Sequence, residues 1–255
     1  MKNIFYILTL LTFFESFACT CAVKVLSQRF DDSEFVGEVR IIGQSIEIKD
    51  SIRWIVFKIE VLDNYKGNSP SVIYSRDEGC GFYGIKDSKW LIFTYKESNG
   101  FIATSYCSGN VEFNPLRYAK ESPEFRKKMI VRLKTKLDVL RLLKSENIKK
   151  TNDTNLYFGA GIGVDESLKG FSEPRKFSIY SITVGTDLKV KKVTAIRKFK
   201  NGILTKRLEN YIQNFKFNCS KKDSQLFNED RNLILVLYYY PADKEYESFV
   251  STNDL

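Results

Sequence analysis

The sequence predicts a mainly β chain, in which a small barrel or sandwich is followed by an amphipathic helix and then by a small α+β part. Three observations support this fold class. Short segments rich in Val, Ile and aromatic residues alternate with turn residues in the first half of the chain. Apolar residues with helical spacing begin after Ser122, and the strand-like and helix-like segments beyond them have an α+β order. The length suits two domains, which we place at residues 19–150 and 151–255.

Residues 1–18 have the pattern of a signal peptide. One Lys precedes an apolar run, and the stretch closes with Ser16, Phe17 and Ala18, which suits cleavage after Ala18. Cys19 would then be the new N-terminus, either free to form a disulfide or acylated as in a bacterial lipoprotein. A lipoprotein signal normally has an aliphatic residue where this chain has Ser16, so we expect the disulfide. The mature protein is expected to be secreted or periplasmic. The alternative is an outer-surface lipoprotein, which would be held at the membrane only by the lipid on Cys19.

Five segments of the first part have strand-like sequences. Their β-branched and aromatic residues partly alternate with polar ones, and turns such as Asn64 to Gly67 separate them. The segments are residues 34–44, 53–62, 71–75, 89–95 and 100–105. Short strands at this spacing are typical of a small barrel or sandwich.

The next element is a basic amphipathic helix. Ser122 and Pro123 suit its cap and first turn. The apolar residues expected to share its buried face are Phe125, Met129, Leu133, Leu137, Leu140 and Leu143. Residues 116–150 hold twelve Lys or Arg against four Asp or Glu, so nearly all of the chain's net charge of +9 lies here. Such a helix can bind nucleic acid or an anionic membrane, but export argues against nucleic acid, and a solvated helix face is the simpler interpretation.

The second part begins after a polar stretch at residues 149–155. Strands are predicted at residues 177–184, 190–199 and 233–240, with a helix at residues 205–214. Tyr238, Tyr239 and Tyr240 stand just before Pro241. They could form a stacking platform, yet an aromatic edge strand ended by proline is the simpler interpretation.

Cysteine and histidine usage limits the classes of function. Five cysteines in an exported chain suggest two disulfides and one remaining thiol. The chain has no His, which excludes Ser-His-Asp and Cys-His catalysis, the helical zinc-protease motif and most catalytic zinc sites. No carboxylate pair stands in a recognisable catalytic motif either. We therefore expect a binding protein rather than an enzyme, without a cofactor or a metal of its own.

Five short motifs follow one another in the first part. They are Cys19-Thr20-Cys21, Asp32-Ser33-Glu34-Phe35-Val36-Gly37-Glu38-Val39, Tyr65-Lys66-Gly67, Cys80-Gly81-Phe82 and Ile102-Ala103-Thr104-Ser105-Tyr106-Cys107. Together, in this order and at these spacings, they resemble the netrin-like N-terminal domain of the tissue inhibitors of metalloproteinases, over residues 19 to about 145. The resemblance implies an OB-fold-like barrel of five strands, and the Lys, Asn and Ile bias favours a bacterial member.

The same resemblance implies a disulfide pattern. Cys19 should pair with Cys80 and Cys21 with Cys107, which leaves Cys219 outside the network. The chain departs from the animal proteins in two respects. It lacks the third disulfide of their inhibitory domain, and a Cys-poor segment replaces their disulfide-rich C-terminal subdomain.

The resemblance also implies a mechanism of protease inhibition. In the animal proteins, the α-amino nitrogen and carbonyl oxygen of the residue matching Cys19 chelate the protease zinc, and the side chain matching Thr20 enters the main specificity pocket. Glu78 and Gly79 would form a second contact strip. The expected function is an exported metalloendopeptidase inhibitor whose partner is a zinc metalloprotease. The alternative is a cell-envelope interaction or scaffold protein that uses the same barrel without inhibition.

Overall fold

A computed structural model describes residues 19–21, 24–114, 122–152, 165–215, 217 and 229–254 of the chain. The predicted signal peptide and Cys219 lie outside these residues. The fold is mainly β, with a curled, half-barrel sheet of seven strands and a second sheet of four. Among the described helices, none combines the length and the apolar character needed to cross a membrane.

The elements of the first part are helix α1 (Leu26–Asp32) and strands β1 (Val36–Lys49), β2 (Ile52–Lys66), β3 (Val72–Arg76), β4 (Lys89–Phe93), β5 (Tyr95–Lys96), β6 (Ile102–Ala103) and β7 (Val111–Glu112). Helix α2 (Pro123–Ser145) follows them. The elements of the second part are strands β8 (Phe177–Val184) and β9 (Val190–Arg197), helix α3 (Gly202–Gln213), and strands β10 (Arg231–Tyr240) and β11 (Phe249–Ser251).

The first sheet is organised around the long β1–β2 hairpin. Its strand order is β5-β6-β3-β2-β1-β4-β7, and its pairs are antiparallel apart from β3 and β6. Asp50 and Ser51, both with positive φ, close the hairpin, which is the geometry that matches the twist of paired strands. Register shifts in β1, between Val36 and Gly43, mark irregularities of the kind that bend a sheet. A core of aliphatic and aromatic residues lies within this part of the chain and includes Phe57, Phe82 and Trp90.

The second sheet has the order β11-β10-β8-β9, with antiparallel pairing throughout. Helix α3 covers one face through Leu204, Leu208 and Ile212, all of them fully buried. Asn201 caps this helix, since its side chain accepts hydrogen bonds from the backbone N–H groups of Ile203 and Leu204.

The other face of the second sheet contributes to an apolar cluster that both parts of the chain share. Leu26 and Phe30 of α1 and four leucines and a valine of α2 lie in it, together with residues of the first sheet such as Leu91. From the second sheet it contains Phe177 and Val236, among others. The division into domains at residue 150 stays a prediction, but the two parts pack against each other through common core residues.

Helix α2 confirms the predicted cap and corrects part of the predicted face. The Ser122 hydroxyl accepts a hydrogen bond from the Phe125 N–H, and the four predicted leucines are buried. Phe125, which was expected to be buried, is 38% exposed. Met129 is only partly buried. The helix therefore packs against the shared cluster along its C-terminal half only.

Candidate functional site

Two disulfides fix the tripeptide Cys19-Thr20-Cys21 to the first sheet. Cys19 is bonded to Cys80 and Cys21 to Cys107, with Cα–Cα distances of 5.4 Å and 5.2 Å. These are the two pairs that the family resemblance implies. Thr20 is exposed between its two half-buried cysteines. Because the bridges close chain separations of 61 and 86 residues, each should stabilise the fold by roughly 2–4 kcal/mol.

The two bridges lie directly against each other. The Cys19 Sγ is 3.5 Å from the Cys107 Sγ and 3.9 Å from the Cys21 Sγ. The sulfurs of Cys19, Cys80 and Cys107 form the one group of three potential metal ligands found among the described residues. In a disulfide, however, neither sulfur is a thiolate, and the thiolate is the form that binds metals. The four cysteines therefore join the tripeptide to the loops that carry Cys80 and Cys107. Disulfides of this kind are typical of proteins outside the cytoplasm.

Cys80 is held by the segment that leaves β3. The Ser75 hydroxyl accepts a hydrogen bond from the Phe82 N–H at 2.7 Å, which folds the segment back onto the strand. Gly81 makes this possible, because a Cβ at that position would lie 2.2 Å from the Arg76 carbonyl oxygen. The Cys80 carbonyl oxygen accepts a further hydrogen bond from the Tyr106 N–H at 2.9 Å. The two disulfide-bearing loops are therefore joined to each other through their backbones as well.

Cys107 lies in a single 3-10 turn, Tyr106–Ser108, which Asn110 attaches to the sheet. The Asn110 amide donates to the Thr104 hydroxyl at 2.8 Å and to the Ser105 carbonyl oxygen at 3.1 Å. Its side-chain oxygen accepts from the Phe93 N–H at 2.9 Å. One asparagine thus links the turn to β4 and to Thr104, the residue after β6.

Helix α1, which follows the tripeptide in the sequence, is held by residues of both parts of the chain. The Lys66 ammonium donates to the carbonyl oxygens of Phe30 and Asp31 at the helix C-terminus, at 2.7 Å and 2.9 Å, where a cation also complements the helix dipole. Burial lowers the pKa of Lys66, and burial likewise raises the pKa of Asp31. The Asp31 carboxylate accepts hydrogen bonds from the N–H and hydroxyl of Thr151, at 2.6 Å and 2.7 Å. The helix is therefore tied to both parts of the chain.

The residues next to the bridges form an exposed and partly apolar surface. Glu78 and Gly79, the predicted contact strip, are exposed immediately before Cys80, and the space around a Cβ at Gly79 is open. Tyr83 and Ile85 were not singled out from the sequence, and Tyr106 was named only within a family motif, yet the three are 59%, 55% and 61% exposed. Their position within five residues of Cys80 or Cys107 in the sequence is the signal that could have identified them.

Comparison with models of known protein families gives no match. Comparison with curated protein sequences gives none either.

Proposed function

We propose that the mature chain begins at Cys19 and is an exported, netrin-like binding protein that inhibits a zinc metalloprotease. In this proposal the curled first sheet serves as the OB-fold-like barrel of the tissue inhibitors of metalloproteinases. The observation that carries the proposal is the tripeptide Cys19-Thr20-Cys21, in which both cysteines are bridged to the sheet and the central residue is exposed. Binding rather than catalysis is the activity that this arrangement supports.

Chelation of a protease zinc suits an N-terminal Cys held in this way. A free α-amino group has a pKa of roughly 7.7–8.0, so it loses its proton readily beside a metal ion. Its nitrogen and the Cys19 carbonyl oxygen would form a five-membered chelate with the zinc and displace the catalytic water. Since the disulfides of Cys19 and Cys21 already hold the backbone, little conformational entropy is lost when the protease binds.

The neighbouring surface suits the rest of a protease active-site cleft. Thr20 would enter the main specificity pocket, and Glu78 and Gly79 would contact the cleft beside it. The exposed side chains of Tyr83 and Tyr106 add apolar and aromatic area, which is enriched at the centres of protein interfaces.

The test is inhibition of a panel of zinc metalloproteases by the native mature chain and by a variant with one Ala added before Cys19. The native chain should inhibit at least one protease. The added residue moves the α-amino group away from the carbonyl oxygen of Cys19, so the inhibition constant should rise by roughly a hundredfold or more, the equivalent of about 3 kcal/mol. Thr20→Gly should weaken inhibition less, because it empties a pocket and leaves the chelate in place.

Matched controls separate loss of chelation from loss of folding. The extended variant should keep the thermal transition of the native chain and the same two bridges in peptide maps made without reduction. The proposal fails if the native chain inhibits no protease of a broad panel, or if the Ala-extended variant inhibits as well as the native one. An acylated Cys19 in the exported protein would also contradict it. Each of these results would favour the alternative, a cell-envelope interaction or scaffold protein.

A further inference from the structure

A groove of about 670 Å³ lies between helix α2 and the part of the second sheet where β10 ends and β11 pairs with it. Its walls are the N-terminal half of α2 on one side and the end of β10, the loop after it and β11 on the other. The volume lies within the range of small-molecule sites, roughly 300–1,000 Å³. None of the residues of the proposed inhibitory site lines it, so the groove is a separate site.

The floor of the groove is apolar and aromatic. Tyr240 and Phe249 stack with ring centroids 4.9 Å apart, and the Tyr240 hydroxyl is held by the Asn253 carbonyl oxygen at 2.7 Å. Tyr246 and Val131, which also line the groove, are 65% and 42% exposed. The three tyrosines at the end of β10 and the basic face of α2, noted separately in the sequence, therefore meet at one place.

The rim carries cationic side chains that form no salt bridge in the described part of the chain, although the charge of Lys128 acts on Asp243 and helps to lower its pKa. Lys127, Lys128 and Arg132 project from α2, Lys176 lies on the opposite wall, and all four are exposed. Within the part of the chain that the structure describes, none of them forms an ion pair. A groove with this excess of cations attracts anions.

The acids that line the groove are mostly engaged elsewhere. The Asp254 carboxylate pairs with Lys136 and also accepts from the Leu26 N–H. The Asp243 carboxylate accepts from the N–H groups of Glu245 and Tyr246, and these hydrogen bonds lower the pKa of Asp243. Glu124 is the third acidic residue in the lining, and it forms no salt bridge or side-chain hydrogen bond of this kind in the described part of the chain.

We propose that this groove binds a single-chain amphiphile with an anionic head, the apolar chain lying on Tyr240, Phe249 and Val131 and the head at the cationic rim. An acyl chain fits this floor better than a sugar does, because the hydroxyls of Tyr239 and Tyr240 already donate to the carbonyl oxygens of Phe171 and Asn253 and the rings present carbon. The cations distinguish the ligand from a neutral amphiphile, because the ammonium and guanidinium groups of the rim can pair with an anionic head and not with a neutral one.

The test uses the full mature chain with its disulfides and isothermal titration calorimetry below the micelle concentration of each probe. The anionic probes are dodecanoate and dodecyl phosphate, which distinguish a fatty acid from a phospholipid-derived ligand. Dodecyl maltoside supplies the chain without the charge, and butyrate supplies the charge without the chain. Two variants address the two halves of the groove: Lys128→Gln with Arg132→Gln for the rim, and Val131→Asn for the floor.

Lys134→Gln is the matched control, since Lys134 is an exposed residue of the same helix that does not line the groove. At least one anionic probe should bind saturably at a ratio of about one to one, and each groove variant should weaken it about tenfold or more. Lys134→Gln should leave the affinity unchanged. The proposal is overturned if neither anionic probe binds saturably, if dodecyl maltoside or butyrate binds as tightly, or if the affinity survives both groove variants.

Discussion

Asp254 joins the C-terminal end of the described chain to helix α1, and we predict that Asp254→Asn strongly destabilises the fold. Its carboxylate pairs with Lys136 of α2 and accepts a hydrogen bond from the Leu26 N–H at 3.2 Å, at the start of α1. Arg29 of the same helix lies 3.9 Å away. A single acid thus bonds to both helices of the shared cluster.

The magnitude follows from burial. The Lys136 and Asp254 side chains are 12% and 8% exposed, and burial lowers the pKa of Lys136. Removing one partner of such a pair leaves a cation in a poorly solvated place, which typically costs about 3–5 kcal/mol. Asparagine keeps an oxygen that can still accept from the Leu26 N–H, so we expect about 3 kcal/mol.

Urea unfolding at neutral pH measures this effect, and Asp32→Asn is the matched control. Asp32 pairs with Lys24 at 2.7 Å, but both side chains are about half exposed (53% and 49%). An exposed pair of this kind contributes less than about 1 kcal/mol. Combining Asp254→Asn with Lys136→Met should recover much of the lost stability, because the double variant leaves no unpaired buried cation.

Two results would refute this reasoning. The first is a loss of unfolding free energy in Asp254→Asn that is no larger than the loss in Asp32→Asn. Lys136 would then be well solvated when unpaired, and its pair with Asp254 would not be buried. If the double variant is as unstable as Asp254→Asn alone, the loss comes from the helix contacts of Asp254 and not from an uncompensated charge.

Two further predictions concern pH and the domain boundary. Burial raises the pKa of Tyr65, Tyr180 and Tyr238 above the ordinary value of 10. The unfolded chain therefore loses these protons first, and the free energy of unfolding should fall as the pH rises above 10. The fall is up to about 1.4 kcal/mol per pH unit for each tyrosine. Denaturant midpoints between pH 9 and pH 12 measure this loss, and a flat profile would contradict it. A chain ending at residue 150 should unfold at lower urea concentration than the native chain and bind a hydrophobic dye, because it lacks the second-sheet residues of the shared cluster, Phe177 among them. Equal midpoints would show that the two parts are independent.

Regular elements with a local signal could be predicted closely from the sequence. The predicted strand at residues 177–184 coincides with β8, in which aromatic and β-branched residues predominate and six of the eight residues are buried. The start of α2 was likewise predictable, because a helix cap depends on neighbours within three residues and Ser122 supplies the hydrogen bond itself. In both cases the residues that decide the structure lie inside the element.

The elements that were missed are stabilised by distant residues. Helix α1, Leu26–Asp32, has seven residues, too few for a helical period to be recognised, and its ends are held by Lys66 and Asp254. Strand β11 has three residues and exists through pairing with the end of β10. The prediction that Phe125 is buried was wrong because the apolar period of α2 continues to this residue, whereas the core that covers the helix ends before it.

The candidate site shows the same limit. The spacing of four cysteines allows three pairings, and only the family resemblance favoured Cys19 with Cys80 and Cys21 with Cys107. Phe82 and Tyr83 are neighbours of similar character, yet Phe82 is 4% exposed and Tyr83 is 59% exposed. A short Gly-rich loop has no periodicity from which this difference could be read, so the apolar surface beside the bridges became visible only in the structure.

The tripeptide Cys19-Thr20-Cys21 is bonded to the first part of the chain, and the helix that follows it is bonded to the second part, which gives the second part a role in the proposed inhibition. The disulfides hold Cys19 and Cys21 to the first sheet. Helix α1, which begins at Leu26, is packed in the shared cluster and bonded to Asp254. Each ordered backbone residue costs about 1–2 kcal/mol of conformational entropy, and a segment that is already ordered does not lose that entropy on binding. Asp254→Asn should therefore weaken protease inhibition by loosening the attachment of α1, although Asp254 is bonded to α1 and α2 rather than to Thr20 or Glu78 in the described part of the chain. The contrast with Asp32→Asn again provides the control, since that variant leaves the anchoring of α1 to the second part intact.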